Sequence, residues 1–200
     1  MTRYDPNIHH RQSTCLKGYD YTLPGAYFVT IVTQGRECLL GQIADSEMKL
    51  NPTGQLVAAL WQAMPLHFPI SLDIWVLMPN HLHGIIIIND HTLTRECRGE
   101  ATGDNIIDSP KRVNPAASPL QPGSYPPNGT IPGSLGAIIQ NFKSMTTRRV
   151  NALNGTPGML LWQRNYHDRI VRNDKALDNI RKYILANPVQ WPSDDENPLG

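Results

Sequence analysis

Two rhythms of apolar and polar positions alternate along the chain, and the changes between them mark out its elements. Residues 26–33, Ala-Tyr-Phe-Val-Thr-Ile-Val-Thr, are rich in β-branched and aromatic side chains and lie between Gly25 and Gly35, which predicts a first strand. Residues 39–43 and 47–51, parted by Ala44-Asp45-Ser46, predict a small hairpin at the periphery. The period then lengthens. Asn51-Pro52 reads as an N-cap followed by proline at the first helical position, and Leu56, Ala59, Leu60 and Ala63 recur at helical spacing up to Pro65. Strand character returns over 72–78 and 81–88 on either side of Pro79-Asn80, so a hairpin is expected there.

Periodicity vanishes between residues 89 and 133, where seven of the seventeen prolines fall between Pro110 and Pro132 among Ser, Asn and Gly. Such a stretch is expected to be an exposed loop insertion without a core of its own. Ser134 can cap a following helix whose Leu135, Ile138, Ile139, Phe142, Met145 and Val150 form an apolar stripe. Residues 159–171 read as extended. Asn173 or Asp174 then caps a last helix over 175–186, which Asn187-Pro188 is expected to stop. The order strand, helix, hairpin, helix, strand, helix fits an α+β, ferredoxin-like (split β-α-β) antiparallel sheet with helices on one face, plus the small hairpin and an extra C-terminal helix.

Composition narrows the class. At 200 residues the chain can bury a sizeable core without staples. Cys15, Cys38 and Cys97 are odd in number and lack a Cys-x-x-Cys spacing, which speaks against a disulfide framework and a thiolate zinc site and favours a reducing, cytoplasmic setting. No apolar run, that at 85–88 included, comes near the roughly 18 residues of a membrane span, so no membrane partner is expected. Charge is unevenly spread: residues 1–133 carry net −2 and residues 134–182 net +6, so a polyanion would dock on the second half. Basic and aromatic residues also interleave in the N-terminal arm, residues 1–24, around Lys17-Gly18-Tyr19-Asp20-Tyr21.

Candidate chemistry begins at His81-Leu82-His83. Side chains alternate along a strand, so the two imidazoles share a face while Leu82 turns to the opposite one, and two parallel imidazoles make half a metal site. A lone His-x-His is more often a pair of hydrogen-bonded structural histidines. The last helix supplies company: Tyr183 and Asn187 lie four apart on one face, a candidate nucleophile beside a candidate third ligand. Tyr166 is a rival nucleophile, but it sits in a predicted strand without a ligand-bearing partner four residues on.

The ordered set Pro79-Asn80-His81-Leu82-His83, Trp162-Gln163-Arg164-Asn165-Tyr166 and Tyr183 with Asn187-Pro188 resembles the REP-associated tyrosine transposases, relatives of the single-tyrosine insertion-sequence transposases in the His-hydrophobe-His endonuclease superfamily. Leu16-Lys17-Gly18-Tyr19-Asp20-Tyr21 and residues 24–30 are similar to the family as well, so the resemblance spans all but the proline-rich stretch and implies a single transposase-like domain over 1–200. It implies cleavage and rejoining of single-stranded DNA at hairpin (palindromic) repeats. His81, His83 and Asn187 would hold a divalent metal, and Tyr183 would attack phosphorus to give a 5′-phosphotyrosyl link. Lys17, Lys143, Arg148, Arg149, Arg164, Arg169 and Arg172 would hold the DNA backbone. By ligand type manganese suits two imidazoles and an amide at least as well as magnesium, and zinc remains compatible. Monomer and homodimer are both open.

Two other readings compete. A non-catalytic single-stranded nucleic-acid-binding module of the same fold would present aromatics on an open sheet face, yet Tyr27 and Phe28 point to opposite faces, so at most one could serve. A different His-x-His metalloenzyme, such as a hydrolase, would want a nearby acidic ligand, and the run after His83 offers none before Asp90.

Overall fold

The computed structural model describes residues 16, 18–90, 130–194 and 196–198. Lys17, most of the expected N-terminal arm and nearly all of the proline-rich stretch lie outside the described residues. A four-stranded sheet runs β4-β5-β1-β6, formed by β1 (Gly25–Val32), β4 (Ile70–Leu77), β5 (His81–Ile88) and β6 (His167–Val171). Every neighbouring pair is antiparallel. With α1 (Pro52–Gln62) between β1 and β4 and α2 (Leu135–Asn154) between β5 and β6, this is the expected ferredoxin-like arrangement. The peripheral hairpin is present as β2 (Gly41–Ala44) and β3 (Glu47–Leu50). Its two-residue turn places Asp45 and Ser46 at φ 53° and 60°, the left-handed conformation that matches the twist of the flanking strands.

The alternation of side chains divides the sheet cleanly. Tyr27, Val29 and Ile31 of β1 and Leu82, Ile86 and Ile88 of β5 face one way and form the main core with α1 and α2. Ala26, Phe28, Ile85 and Ile87 face the other way, where α3 (Asp174–Gln190) covers them with Ile180 and Ile184. The C-terminal helix thus occupies the face that a nucleic-acid-binding module would leave open, and Tyr27 is fully buried beneath the opposite layer. A register shift between Leu72 and Trp75 interrupts β4, and nearby Asp73 binds Arg181 of α3 at 2.6 Å and 3.1 Å. That ion pair fixes α3 across the sheet.

Three expectations need correction. The buried face of α1 is Val57, Leu60 and Trp61 rather than Leu56, Ala59, Leu60 and Ala63, and Ala59 is exposed. The indole of Trp61, the largest apolar group on the helix, rolls α1 so that its ring lies over Gly84 of β5. Second, Pro188 does not stop the last helix: α3 continues to Gln190. Proline forfeits one N–H bond, a small loss this near the C-terminus, and Asn187 before it is held in helical conformation within the site described below. Third, the extended segment 159–171 is strand only from His167; Trp162 makes an isolated bridge to Thr33.

The segment before β6 is pinned to α2. Trp162 Nε1 donates to Thr146 Oγ1 at 2.7 Å, and Lys143 Nζ donates to the carbonyls of Gln163, Arg164 (2.9 Å) and Asn165 (3.2 Å). Burial pulls the Lys143 amine down to about 8. Its ammonium serves a loop rather than the solvent, which removes it from the free cations available to DNA.

Gly84 has no substitute in this packing, since a Cβ there would stand 2.5 Å from Trp61 Cζ2, inside a fully buried ring. Gly84→Ala is expected to destabilise the protein by about 1–3 kcal/mol through overpacking. A thermal melt should show a fall of roughly 2–4 °C for each kcal/mol. An unchanged melting temperature would mean that Trp61 has another place to go.

Candidate active site

The register of β5 on β1 sets His83 opposite Thr30 and His81 opposite Val32, at the end of the sheet next to the Met78–Asn80 turn. Both imidazoles are on the α3 face and almost wholly buried, with ring centroids 4.4 Å apart. Their partners orient them. Thr30 Oγ1 lies 2.8 Å from His83 Nδ1, which turns His83 Nε2 toward α3.

His81 is fixed more tightly. Asn80 Nδ2 donates to the carbonyls of Arg36 (3.0 Å) and Glu196 (2.6 Å). Both carbonyls only accept, so they settle which end of the amide is nitrogen, and Asn80 Oδ1 is the end that meets His81 Nδ1 at 2.9 Å. An amide oxygen cannot donate. His81 Nδ1 therefore carries the proton and Nε2 keeps its lone pair.

That lone pair points into a site furnished by α3 and the chain beyond it. Tyr183 Oη stands 3.2 Å from His83 Nε2, and Asn187, one turn later, is buried beside His81. Trp191 follows in a short helical turn with its ring centroid 6.0 Å from that of His81, and the turn carries Asp194 back to the histidines. Ligand atoms of His81, His83 and Asp194 all lie within 4.8 Å of one another. A cavity of about 330 Å³ opens here, lined by His83, Tyr183, Asn187, Asp194 and Glu196 among others.

Two buried atoms at this spot, His81 Nε2 and Asn187 Oδ1, have no hydrogen-bond partner among the described residues. Leaving a buried polar atom unsatisfied costs about 1–3 kcal/mol. Two acceptors side by side could both serve a cation as ligands. Burial drives the pKa of His81 down to about 4, against the upward pull of Asp194 and Asn187, and burial with the neighbouring His81 drives His83 to about 2. Both rings are therefore neutral at physiological pH, the form that binds metal. Two imidazole nitrogens, an amide oxygen and a carboxylate suit a divalent ion such as manganese, magnesium or zinc.

Sequence reasoning had placed His81, His83, Tyr183 and Asn187 together, and the fold brings all four to one point. Asp194 is absent from the sequence-based set, since it belongs to no periodic element. The available signal was the acidic run at 194–196 following Trp191-Pro192, a turn that reverses the chain after the helix. Tyr166, the rival nucleophile, lies on the other side of the sheet with its hydroxyl beside Gly136 of α2. The expected DNA contacts scatter: Arg169 flanks the site, Arg172 lines a neighbouring cavity, Arg164 is exposed in the pinned segment, and Arg148 and Arg149 are on α2, across the sheet from Tyr183.

No protein-family model matches the chain. An uncharacterized protein of Haemophilus influenzae is 36% identical over 194 residues, which cover 96% of this chain and 96% of that protein. Among solved structures, a REP-associated tyrosine transposase bound to a REP hairpin matches with a TM-score of 0.53 and 16% identity, over 88% of this chain and 74% of its own. At that identity the likeness is one of fold. Among the described residues, no helix is long and apolar enough to cross a membrane.

Calorimetric titration with Mn²⁺ tests the donor set. Binding is expected for the parent, none for His81→Ala, and a loss of roughly tenfold or more for Asp194→Asn, about 1.4 kcal/mol. An Asp194→Asn protein that binds manganese as the parent does would remove the carboxylate from the set.

Proposed function

We propose that this chain, which belongs to the same family as the Haemophilus influenzae protein and has the fold of the REP-associated tyrosine transposase, is a metal-dependent transposase that cleaves and rejoins single-stranded DNA. The observation that carries the reading is Tyr183 Oη at 3.2 Å from His83 Nε2, with the unpartnered Asn187 oxygen one helical turn away. A phenol meant only for packing would not stand 43% exposed at the mouth of a cluster of buried neutral imidazoles.

His81, His83, Asn187 and Asp194 would hold a divalent metal, magnesium or manganese. Bound there, the ion would act as a Lewis acid that draws charge from a non-bridging oxygen of the scissile phosphate. The remaining steps belong to the chain. Asn80 and Thr30 hold the two rings in their ligating orientation, so no reorganisation is needed when the phosphate arrives. Tyr183 attacks phosphorus from its open side; the Oη–P bond forms, the P–O3′ bond breaks, the phenolic proton leaves to solvent, and the departing O3′ takes a proton from solvent. The product is a 5′-phosphotyrosyl link with a free 3′-hydroxyl, and the reverse attack by a 3′-hydroxyl completes strand transfer without an external energy source. The REP-associated relative was solved on a REP hairpin, and hairpin-forming repeats are the substrate proposed for this chain.

Incubation of the protein with a labelled DNA hairpin bearing a single-stranded extension, in manganese, should yield a covalent protein–DNA adduct that survives denaturation. Tyr183→Phe should abolish the adduct while the His81, His83 and Asp194 cluster still takes up manganese. Adduct formation by Tyr183→Phe at the parent level would sink the assignment.

A further inference from the structure

Tyr183, with Thr30 and His83, stands at the boundary between two cavities and lines both. On one side lie Asn187, Asp194 and Glu196, the side proposed above for a cation. On the other, a groove of about 540 Å³ runs between β6 and the first half of α3, and Phe28, Arg169, Lys175, Asn179 and Tyr183 line it. No carboxylate is among the residues lining this groove. Its volume falls within the range of about 300–1,000 Å³ typical of pockets that enclose a small organic unit. Arg169 and Lys175 are exposed at its rim, and Phe28 forms an apolar patch in its wall, with its ring centroid 6.1 Å from that of Tyr183. Arg169 and Phe28 are cross-strand partners, so the sheet itself sets the cation beside the ring.

We infer that this groove binds one unpaired nucleotide next to the scissile phosphate, its backbone phosphate between Arg169 and Lys175 and its base against Phe28. The inference rests on the reading of Tyr183 as the nucleophile. The combination of cations, an aromatic surface and a side-chain amide in one channel is the chemistry that holds single strands. A carboxylate ligand would use the cations but leave Phe28 idle, and an apolar one would leave the cations idle. The same placement explains why Arg148 and Arg149, although basic and exposed, are poorly sited: they lie in the helical layer across the sheet, away from Tyr183.

Fluorescence anisotropy of the full-length protein with a dye-labelled single-stranded DNA of about a dozen nucleotides, in EDTA so that no cleavage occurs, tests the groove. Arg169→Ala and Lys175→Ala should each weaken binding about 3–10-fold and each lower the slope of log K against log salt by about one. The same changes should have less effect on a duplex of equal length. Arg148→Ala and Arg149→Ala serve as the comparison: if they weaken single-strand binding as much as the groove variants do, or if the groove variants lose duplex and single strand equally, the assignment fails. It fails too if the parent does not bind the single strand. Groove variants that bind normally while the parent still forms the tyrosyl adduct would reject the groove and leave the proposed reaction standing. Loss of single-strand affinity in a protein that forms no adduct would do the reverse.

Discussion

Everything at the functional end of this molecule depends on burying two neutral imidazoles against one helix. A neutral imidazole presents one donor and one acceptor, and His81 has its donor consumed by Asn80. The acceptor is then committed to the interior, and no group among the described residues meets it. Burial keeps the ring from resolving the problem by protonation, because a charged ring there would lose its hydration. The arrangement stores a small unfavourable free energy in the folded chain, and a bound cation would release it. The turn at Arg36 and the C-terminal segment at Glu196 both supply carbonyls to Asn80, so pieces of chain far apart in sequence are tied to the orientation of a single ring.

The parts of this design that were legible in the sequence are those written in a repeating period. The His81–Ile88 strand was readable to its ends because period-2 geometry alone dictates that His81 and His83 share a face and that Leu82 joins the core. Tyr183 and Asn187 were readable for the corresponding reason on a helix. What escaped were features decided by competition between neighbours. Whether α1 buries Ala59 or Trp61 depends on the space over Gly84, which is known only once β5 is beside the helix. Lys143 counted as a free cation until the fold showed three carbonyls converging on its amine. Asp194 belongs to no periodic element; a turn after Pro188 delivers it, and proline read locally signals a stop rather than a return.

The two faces of the sheet divide labour. The α1/α2 side holds the large core, with Tyr27, Trp61 and Phe142 fully buried, and gives the scaffold its rigidity. The α3 side is a thinner layer, and among the described residues Ile85, Ile180 and Ile184 are the buried members of its apolar cluster. The site occupies the end of that thin layer. Such a position lets Tyr183 reach solvent while the atoms it works beside stay dry, a combination a deeper core could not offer. The Asp73–Arg181 pair, with a half-buried carboxylate, offsets the small apolar contact by fixing the axial position of α3. A slip of α3 by one residue would rotate Tyr183 and Asn187 about 100° away from the histidines together.

Asp194 bears directly on the choice between chemistries. The carboxylate that a His-x-His hydrolase would require, absent from the run after His83, is present in the folded chain, so the candidate metal ligands alone no longer separate a hydrolase from a tyrosine transposase. The separation lies in the nucleophile. A hydrolase needs an open position beside the ligands from which water attacks, and a tyrosine there would obstruct it. In the proposed site Tyr183 Oη, 3.2 Å from His83 Nε2 on a helix locked to the sheet by Ile180, Ile184 and Arg181, would take that position. A phenol so placed would compete with water for the phosphorus of the proposed substrate with the advantage of prior orientation, which can exceed that of bulk solvent by many orders of magnitude in effective concentration. In the proposed reaction the product of that competition would be a protein-linked phosphodiester, and a chain that kept the broken bond as an ester on its own side chain would join strands as well as cut them.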